Sequence, residues 1–237
     1  MRTIPETYQE IESIVRYIDD NQVKCITVTA PESNAGASTL ALSLANRLKK
    51  RAQRILVLDL NRQHPMKAAL FESKLSLPKW QFDTISTQLN VAQNAGLYFL
   101  SVDDLQERDT ARDSKVIADA FCRWQQEFDY VIVDLCPLLS VNKQNLPSSV
   151  FAAVSELTLM MVAPGKTTEE TLKLSLQKCK TEGFKQIQIV VSQIHLPPLG
   201  PKLEHSLNNL RFMPKNLKCR LLSLVKRQAW LYRAIGC

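Results

Sequence analysis

The sequence lacks the features that would place it within a membrane or outside the cell. No window holds the roughly 18 uninterrupted apolar residues that a membrane-spanning helix needs. The first residues, Met1 to Glu6, lead straight into charged sequence without the apolar stretch and cleavage site of a secretory signal. We therefore predict a cytoplasmic protein.

Clustered metal ligands are missing as well. The six cysteines are scattered without C-x-x-C spacing, and the three histidines are isolated from one another. This pattern argues against a structural zinc site. It predicts reduced cysteines, most of them in buried positions.

The composition is that of an ordinary globular protein. Hydrophobic residues make up 45% of the 237-residue chain and charged residues 22%. This length suits one large α/β domain, and we predict that residues 1–237 form a single domain. The formal charge of +7 admits a nucleic acid, an anionic membrane surface or an acidic protein as partner.

Short apolar runs alternate with segments of helical periodicity along the chain. Such alternation predicts a mostly parallel sheet covered by helices on both faces, which is a doubly wound three-layer α/β sandwich. The predicted strands are 25–29, 54–58, 97–102, 130–133, 157–162 and 187–191. The predicted helices are 5–20, 38–51, 115–128, 168–181 and about 215–235, and residues 61–95 are predicted as loops with one short helix.

Residues 30–39, Ala-Pro-Glu-Ser-Asn-Ala-Gly-Ala-Ser-Thr, connect the first strand to the following helix. In an intact phosphate-binding loop, backbone N–H groups surround the phosphates, a lysine reaches the terminal phosphates and a hydroxyl binds Mg²⁺. Gly36, Ser38 and Thr39 keep the second half of this pattern. Ala37 stands at the position of the lysine, and Pro31 stands at the position of the first glycine.

Two aspartates follow other predicted strands. Asp59 comes after the second strand, and Asp134 comes after the strand that begins at Tyr130. Because ligands of doubly wound sheets bind at the carboxyl ends of the strands, both aspartates and the 30–39 loop are predicted to meet at one edge of the sheet. The aspartates either hold a Mg²⁺-bound water there or bond to neighbouring N–H groups as structural caps.

Taken together, these motifs resemble those of the bacterial tyrosine kinases (BY-kinases) of exopolysaccharide and capsule export, a branch of the MinD/ParA-like P-loop ATPases. Residues 29–39 are similar to the Walker A loop of that family, residues 55–62 to its Walker A′ element, and residues 130–134 with Pro137 to its Walker B strand. Residues 6–12 resemble the preceding helix, and residues 162–168 resemble a turn after a later strand. The resemblance spans about residues 6–195 and implies a P-loop NTPase fold of the MinD/ParA type.

The departures from the family pattern concern its chemistry. The Walker A lysine is Ala37, the extra signature lysine of the MinD/ParA branch falls on Glu32, and the second Walker A′ aspartate is Asn61. The arginines of the oligomerisation helix fall on Gln9 and Glu12, which makes the family's ring assembly doubtful and leaves a homodimer open. The tyrosine-rich tail is absent, since Tyr232 is the only tyrosine beyond residue 130.

The resemblance implies a candidate site for ATP or ADP with Mg²⁺, weakened by these changes. Asp59 and Asp134 would be the catalytic residues if the protein is active, and Ser38, Asp59 and Asp134 would be the metal ligands. Arg62 is a candidate for replacing the missing positive charge. The candidate nucleotide-binding residues are Ser33, Asn34, Ala35, Gly36, Ala37, Ser38, Thr39 and Arg62. The alternative is an inherited strand-to-helix turn that binds nothing.

The predicted C-terminal helix has an apolar stripe that includes Leu217, Leu221 and Leu224, with basic residues mainly outside it. Such a helix can lie on anionic lipid, dock into a partner or pack on its own sheet. The chain contains no recognised nucleic-acid reading motif, so a nucleic acid is the least favoured partner.

From the resemblance and its departures we expect a catalytically impaired, BY-kinase-like regulatory or scaffold protein of exopolysaccharide, capsule or adhesin biosynthesis. It would act at the inner membrane on the cytoplasmic face of a polysaccharide co-polymerase or another export component. One alternative is an active protein-tyrosine kinase or ATPase with a rearranged phosphate site. The other is a MinD/ParA-like positioning factor on membrane or DNA.

Overall fold

The computed structural model describes residues 8–52, 54–63, 65–66, 79–82, 97–107, 109–140, 145–192, 199–209 and 214–228. Residues 5–7 and 229–235 of the predicted terminal helices, and most of the predicted loop region 61–95, lie outside these described residues. Within the described residues, no helix has both the length and the apolar character needed to cross a membrane.

Six strands and seven α-helices are found in the described parts of the chain, and they follow the predicted alternation. The strands are β1 (Cys25–Thr29), β2 (Ile55–Asp59), β3 (Leu97–Ser101), β4 (Tyr130–Asp134), β5 (Leu157–Val162) and β6 (Ile187–Val191). The helices are α1 (Gln9–Asp20), α2 (Ala37–Lys49), α3 (Ser114–Glu127), α4 (Ser149–Ala152), α5 (Glu169–Glu182), α6 (Leu199–Asn209) and α7 (Lys215–Arg227). Two short 3₁₀ turns occupy Val102–Asp104 and Thr110–Arg112.

The strands form one parallel sheet with the order β3-β2-β4-β1-β5-β6. β1 lies between β4 and β5, and β2 pairs with β4 in a register that places Asp59 opposite Asp134. Because β2, β4 and β1 are parallel neighbours, their carboxyl ends lie side by side at one edge of the sheet. The predicted three-layer α/β fold is confirmed.

Burial explains why these apolar runs form strands. Every residue of β1, β2 and β5 is buried, as expected for a sheet covered on both faces. An aromatic cluster beside the sheet contains Trp80, Phe82, Phe121, Trp124 and Phe151, with Phe82 and Trp124 ring centroids 5.7 Å apart. Helix α1, within the helix predicted over residues 5–20, buries Ile11, Ile14, Val15 and Ile18 on one side.

Some local features differ from the predictions. Helix α6 and the one-turn helix α4 were not predicted, because α6 begins with Leu-Gly-Pro and α4 is too short for helical periodicity. Among the cysteines that the structure describes, Cys25 and Cys179 are buried and Cys136 is partly buried, but Cys122 and Cys219 are exposed. The prediction of buried cysteines is therefore wrong for these two, which lie on outward faces of α3 and α7.

By internal contacts the chain divides into two compact units. One comprises Met1–Val162 with Thr167–Val190, and the other comprises Ala163–Lys166 with Val191–Cys237. The first unit contains the candidate site, and the second contains α6 and α7. The single domain inferred from the sequence stays a prediction.

Candidate functional site

The 30–39 loop has the backbone course of a phosphate-binding turn. Asn34 and Gly36 have positive φ angles of 61° and 101°, and Gly36 immediately precedes α2. Glycine adopts this left-handed conformation without steric cost, which explains its presence at the start of the helix. The N-cap residue Gly36 has no side chain with which to cap α2, and the N-terminus of the helix lies at the turn, where phosphate-binding loops place it.

Ser38 links the loop to the end of β4. Its Oγ donates a hydrogen bond of 2.6 Å to Oδ2 of Asp134, and it accepts one of 3.1 Å from Nδ2 of Asn61. All three side chains are buried. The hydroxyl predicted as a Mg²⁺ ligand is thus the centre of an internal hydrogen-bond network.

Asp59 is held by backbone donors on the chain that follows β2. The N–H of Met66 donates to its Oδ2 at 2.6 Å, and the N–H of Asn61 donates to its Oδ1 at 3.2 Å. The Asn61 side chain in turn accepts a hydrogen bond from the N–H of Gln63. These contacts match the predicted structural alternative, in which the aspartate organises the turn after its strand.

The charge of Asp134 is incompletely compensated. Its Oδ1 is buried and has no hydrogen-bond partner among the described residues. Burial, together with the nearby negative charge of Asp59, raises the pKa of Asp134 well above its usual range, although the side chains of Ser38 and Asn61 act in the opposite direction. The pair is a concentration of negative charge at the loop.

Positive charge is scarce at the loop. Residues 30–39 contain no lysine or arginine, and Glu32 adds a carboxylate. Arg62, the predicted replacement, places its Nε 3.6 Å from Oδ1 of Asp103, at the start of the 3₁₀ turn after β3. It is therefore paired with an acidic side chain.

The site fits the metal ion of the resembled family better than it fits the phosphates. An unpartnered carboxylate oxygen of Asp134, the Ser38 hydroxyl and the nearby Asp59 are hard oxygen donors of the kind that Mg²⁺ prefers. For the phosphates, the backbone N–H groups of the turn remain, but the ammonium group is missing at Ala37. When bound, Mg²⁺ would supply positive charge to phosphate oxygens beside Ser38.

The structure brings together most of the predicted residues. Ser38 and Asp134 are in direct contact, Asp59 lies opposite Asp134, and Arg62 points to Asp103. Ser33 bonds to Gln63, which joins the loop to the turn after β2. The remaining candidates, Asn34, Ala35, Gly36, Ala37 and Thr39, form the loop and the start of α2.

Two contributors were missed in the sequence. Asn61 was noted only as a lost aspartate, yet its amide is a hydrogen-bond donor to Ser38. Lys178 of α5 donates to the carbonyl of Leu138 at 2.7 Å, and the N–H of Leu138 donates to the carbonyl of Ala30 at 2.8 Å. Lys178 belongs to no sequence motif, so its hydrogen bond to Leu138 could not be predicted from the sequence.

The fold is similar to those of solved tyrosine kinase domains and of a ParA family ATPase. The kinase domain of the Escherichia coli tyrosine kinase Etk is 17% identical, with a TM-score of 0.60 and coverage of 76% of this chain and 71% of that one. The VpsO kinase domain is 16% identical, with a TM-score of 0.62 and coverage of 76% and 90%. A ParA family ATPase from Chlorobium tepidum is 13% identical, with a TM-score of 0.58 and coverage of 90% and 97%. No protein-family model and no curated protein matches the chain.

The chain therefore shares the three-layer α/β fold of these proteins. The tyrosine kinase domains and the ParA family ATPase are structural neighbours of the kinds that the motifs predicted. Identities of this size show a shared fold and do not extend to activity or partners.

Proposed function

We propose that this protein is a catalytically impaired, BY-kinase-like scaffold or regulatory protein of bacterial exopolysaccharide, capsule or adhesin biosynthesis. It acts from the cytoplasmic side of the inner membrane on a polysaccharide co-polymerase or another export component. The residues of the site support the impairment. The resemblance to kinases of polysaccharide export supports the place of action and the partner.

The main support for impaired catalysis is the missing positive charge. The loop has no lysine at position 37, whereas the acidic residues Asp59 and Asp134 are present. Phosphoryl transfer depends almost entirely on positioned positive charge and metal. Removing one preorganised donor from a developing negative charge costs on the order of 3–4 kcal/mol, or roughly 10²–10³ in rate. Here Ala37 removes the ammonium, Glu32 adds a negative charge, and Arg62 is engaged with Asp103.

The hydrogen-bond network also supports a scaffold. Asn61 donates to Ser38, and Ser38 donates to Asp134, so side-chain hydrogen bonds hold the start of α2 to the ends of β2 and β4. A protein that acts through its surfaces needs an intact fold but does not need an active phosphate site.

The test is calorimetric titration of the natural protein and the Ala37→Lys variant with ATP and ADP, with and without Mg²⁺. We expect no measurable binding by the natural protein and Mg²⁺-dependent binding by the lysine variant. Ala37→Gln is the matched control, because it adds a polar chain of similar reach without the charge. Tight Mg²⁺-dependent binding by the natural protein would overturn the impaired site.

The proposed partner is tested separately. Affinity capture from solubilised bacterial membranes should recover a polysaccharide-assembly protein, and purified co-polymerase should then bind the natural protein directly. Failure of both experiments would reject the partner while leaving the impaired site in place.

A second candidate function is an active kinase or ATPase with a rearranged phosphate site. The observation in its favour is the retained set of Ser38, Asp59 and Asp134, whose oxygen atoms fit Mg²⁺. This candidate requires hydrolysis or phosphotransfer by the natural protein that is lost in Asp59→Asn or Asp134→Asn. A ParA-like positioning factor would also require nucleotide binding, so the same titration weighs against it if no binding occurs.

A further inference from the structure

The excess positive charge of this chain belongs to one segment. Residues 193–237 contain eight of the 30 lysines and arginines but only one of the 23 acidic residues, Glu204. The whole formal charge of +7 therefore belongs to this segment, and residues 1–192 are neutral overall. A segment that concentrates charge in this way is suited to an anionic partner.

Helices α6 and α7 pack on one another through one side of α7. Lys218 donates from Nζ to the carbonyl of Asn208 at 2.6 Å, and Nζ of Lys226 lies 3.7 Å from Oε2 of Glu204. These contacts use two of the basic side chains of α7 for the helix pair. They also determine which face of α7 remains available.

The other side of α7 carries leucine and arginine next to each other. Leu217 and Leu224 are 49% and 55% exposed, and their spacing of seven residues places them on the same face. Arg220 and Arg227 are exposed, follow the leucines by three residues each, and have no ion-pair partner among the described residues. We call these four side chains the outer face of α7.

This combination fits a lipid surface better than a nucleic acid. A helix lying in a membrane interface buries its apolar side chains at the acyl boundary and keeps its cations among the headgroups. Nucleic-acid backbones would use the arginines but would leave both leucines without apolar contact. The outer face also has no aromatic ring on which a base could stack.

We propose that the outer face of α7 binds directly to membranes rich in anionic phospholipid, with the helix lying in the plane of the interface. At 13 residues the helix is about 20 Å long, which suits an interfacial position. This inference rests on the proposed function in one respect, which is that the protein works beside a membrane. It adds a second contact, with lipid, to the contact with a membrane protein.

The experiment is flotation of the full-length protein with vesicles of phosphatidylcholine alone or of phosphatidylcholine mixed with phosphatidylglycerol. Because each basic residue near an anionic surface contributes several-fold to binding, we expect at least about tenfold stronger binding to the mixed vesicles. The double variants Arg220→Gln/Arg227→Gln and Leu217→Gln/Leu224→Gln should each remove most of this binding. All four side chains are exposed, so folding should be retained, and circular dichroism checks it.

Two controls match these changes elsewhere on the surface. Lys180→Gln/Lys185→Gln removes the same charge from exposed sites near the end of α5 and after it, and Leu174→Gln removes a leucine that is 49% exposed. Both controls should bind mixed vesicles like the natural protein. Equal loss in the lysine control and the arginine variant would mean diffuse charge attraction and would overturn the assignment.

Other outcomes assign the outer face differently. Absence of flotation with mixed vesicles rejects lipid binding. If the protein binds duplex DNA and this binding requires the arginines but not the leucines, the outer face of α7 is a nucleic-acid-binding surface. Because the vesicles contain no protein and no nucleotide, their result is independent of both the nucleotide titration and the co-polymerase experiment.

Discussion

The hydroxyl of Ser38 donates a 2.6 Å hydrogen bond to Asp134, whose second carboxylate oxygen has no partner among the described residues. This hydrogen bond connects the end of β4 to the first turn of α2. The unpartnered oxygen belongs to a carboxylate that lies opposite Asp59 in the sheet. The next two variants test the consequences of this relationship.

Replacing Asp134 by Asn should stabilise the protein in the absence of Mg²⁺. The substitution removes a buried charge that faces Asp59 and keeps an oxygen that can accept the bond from Ser38. We expect a gain on the order of 1 kcal/mol in the free energy of unfolding, or roughly 2–4 °C in Tm for a chain of this length. Thermal unfolding in the presence of a chelator measures it.

The matched control for this change is Asp119→Asn, because Asp119 is exposed on α3 and its loss should leave the Tm within about 1 °C. A fall in Tm for Asp134→Asn would contradict the prediction. It would mean that the bond from Ser38 requires a charged acceptor and outweighs the repulsion.

Replacing Asn61 by Asp should create a stronger divalent-cation site. The natural amide donates to Ser38, whereas a carboxylate would add a third negative charge beside Asp59 and Asp134. We expect a lower Tm without cation and a Mg²⁺- or Mn²⁺-dependent rise larger than that of the natural protein. Each unit charge added to such a site should strengthen cation binding by about tenfold or more.

Titration of cation into Asn61→Asp and Asn61→Ser gives the comparison. The serine variant also loses the amide but adds no charge, so it should bind cation no better than the natural protein. Equal cation binding by the two variants would show that charge at residue 61 is unimportant.

The sequence was sufficient for the sheet and insufficient for the site's interactions. Buried strands such as β2 and β4 consist of apolar residues up to a closing aspartate, so their positions could be predicted to within a residue or two. Their carboxyl-end residues could be placed at one edge because parallel strands share a direction. Hydrogen bonds such as that from Asn61 to Ser38 depend on side-chain orientation, and periodicity carries no information about orientation.

Lys178 should stabilise the 30–39 loop indirectly, through the turn that follows β4. It donates to the carbonyl of Leu138, and the following turn bonds to Ala30 and Pro31 through the N–H groups of Leu138 and Leu139. Lys178→Met keeps the aliphatic stem and removes the donor, so it should cost on the order of 1 kcal/mol. Hydrogen exchange of the loop amides should become several-fold faster.

Lys173→Met is the control for this variant, since Lys173 is exposed on the same helix and pairs with Glu169 at the surface. It should leave exchange in the 30–39 loop unchanged. If Lys178→Met accelerates exchange only within α5, the proposed link from the helix to the loop is wrong.

Glu12 should contribute to stability in a pH-dependent manner through the contact between α1 and α2. Its carboxylate pairs with the guanidinium of Arg47, with Nη2 2.9 Å from Oε2, and Arg51 lies at 3.8 Å. The hydrogen bond from Arg47 lowers the pKa of Glu12 below its ordinary 4.5, aided by the charges of Arg47, Arg51 and Lys50 and opposed by desolvation. In the unfolded chain the carboxyl binds its proton at higher pH. The stabilising contribution is therefore complete above about pH 4.5 and is lost as the pH falls through the lower folded-state pKa.

Urea unfolding of Glu12→Gln and the natural protein, from neutral pH down into this acidic range, measures that contribution. The variant should be slightly less stable at neutral pH, because the pair is partly exposed and screened by solvent, and the difference should shrink in acid. Glu10→Gln, an exposed change on the same helix, should follow the natural protein at every pH. A difference between Glu12→Gln and the natural protein that stayed constant down through the acidic range would mean that the side chain acts by packing. The resembled ring-forming kinases would have an arginine at position 12. In this chain such an arginine would lie against Arg47 and Arg51 and repel both of them. The acidic side chain of Glu12 therefore suits the contact between α1 and α2.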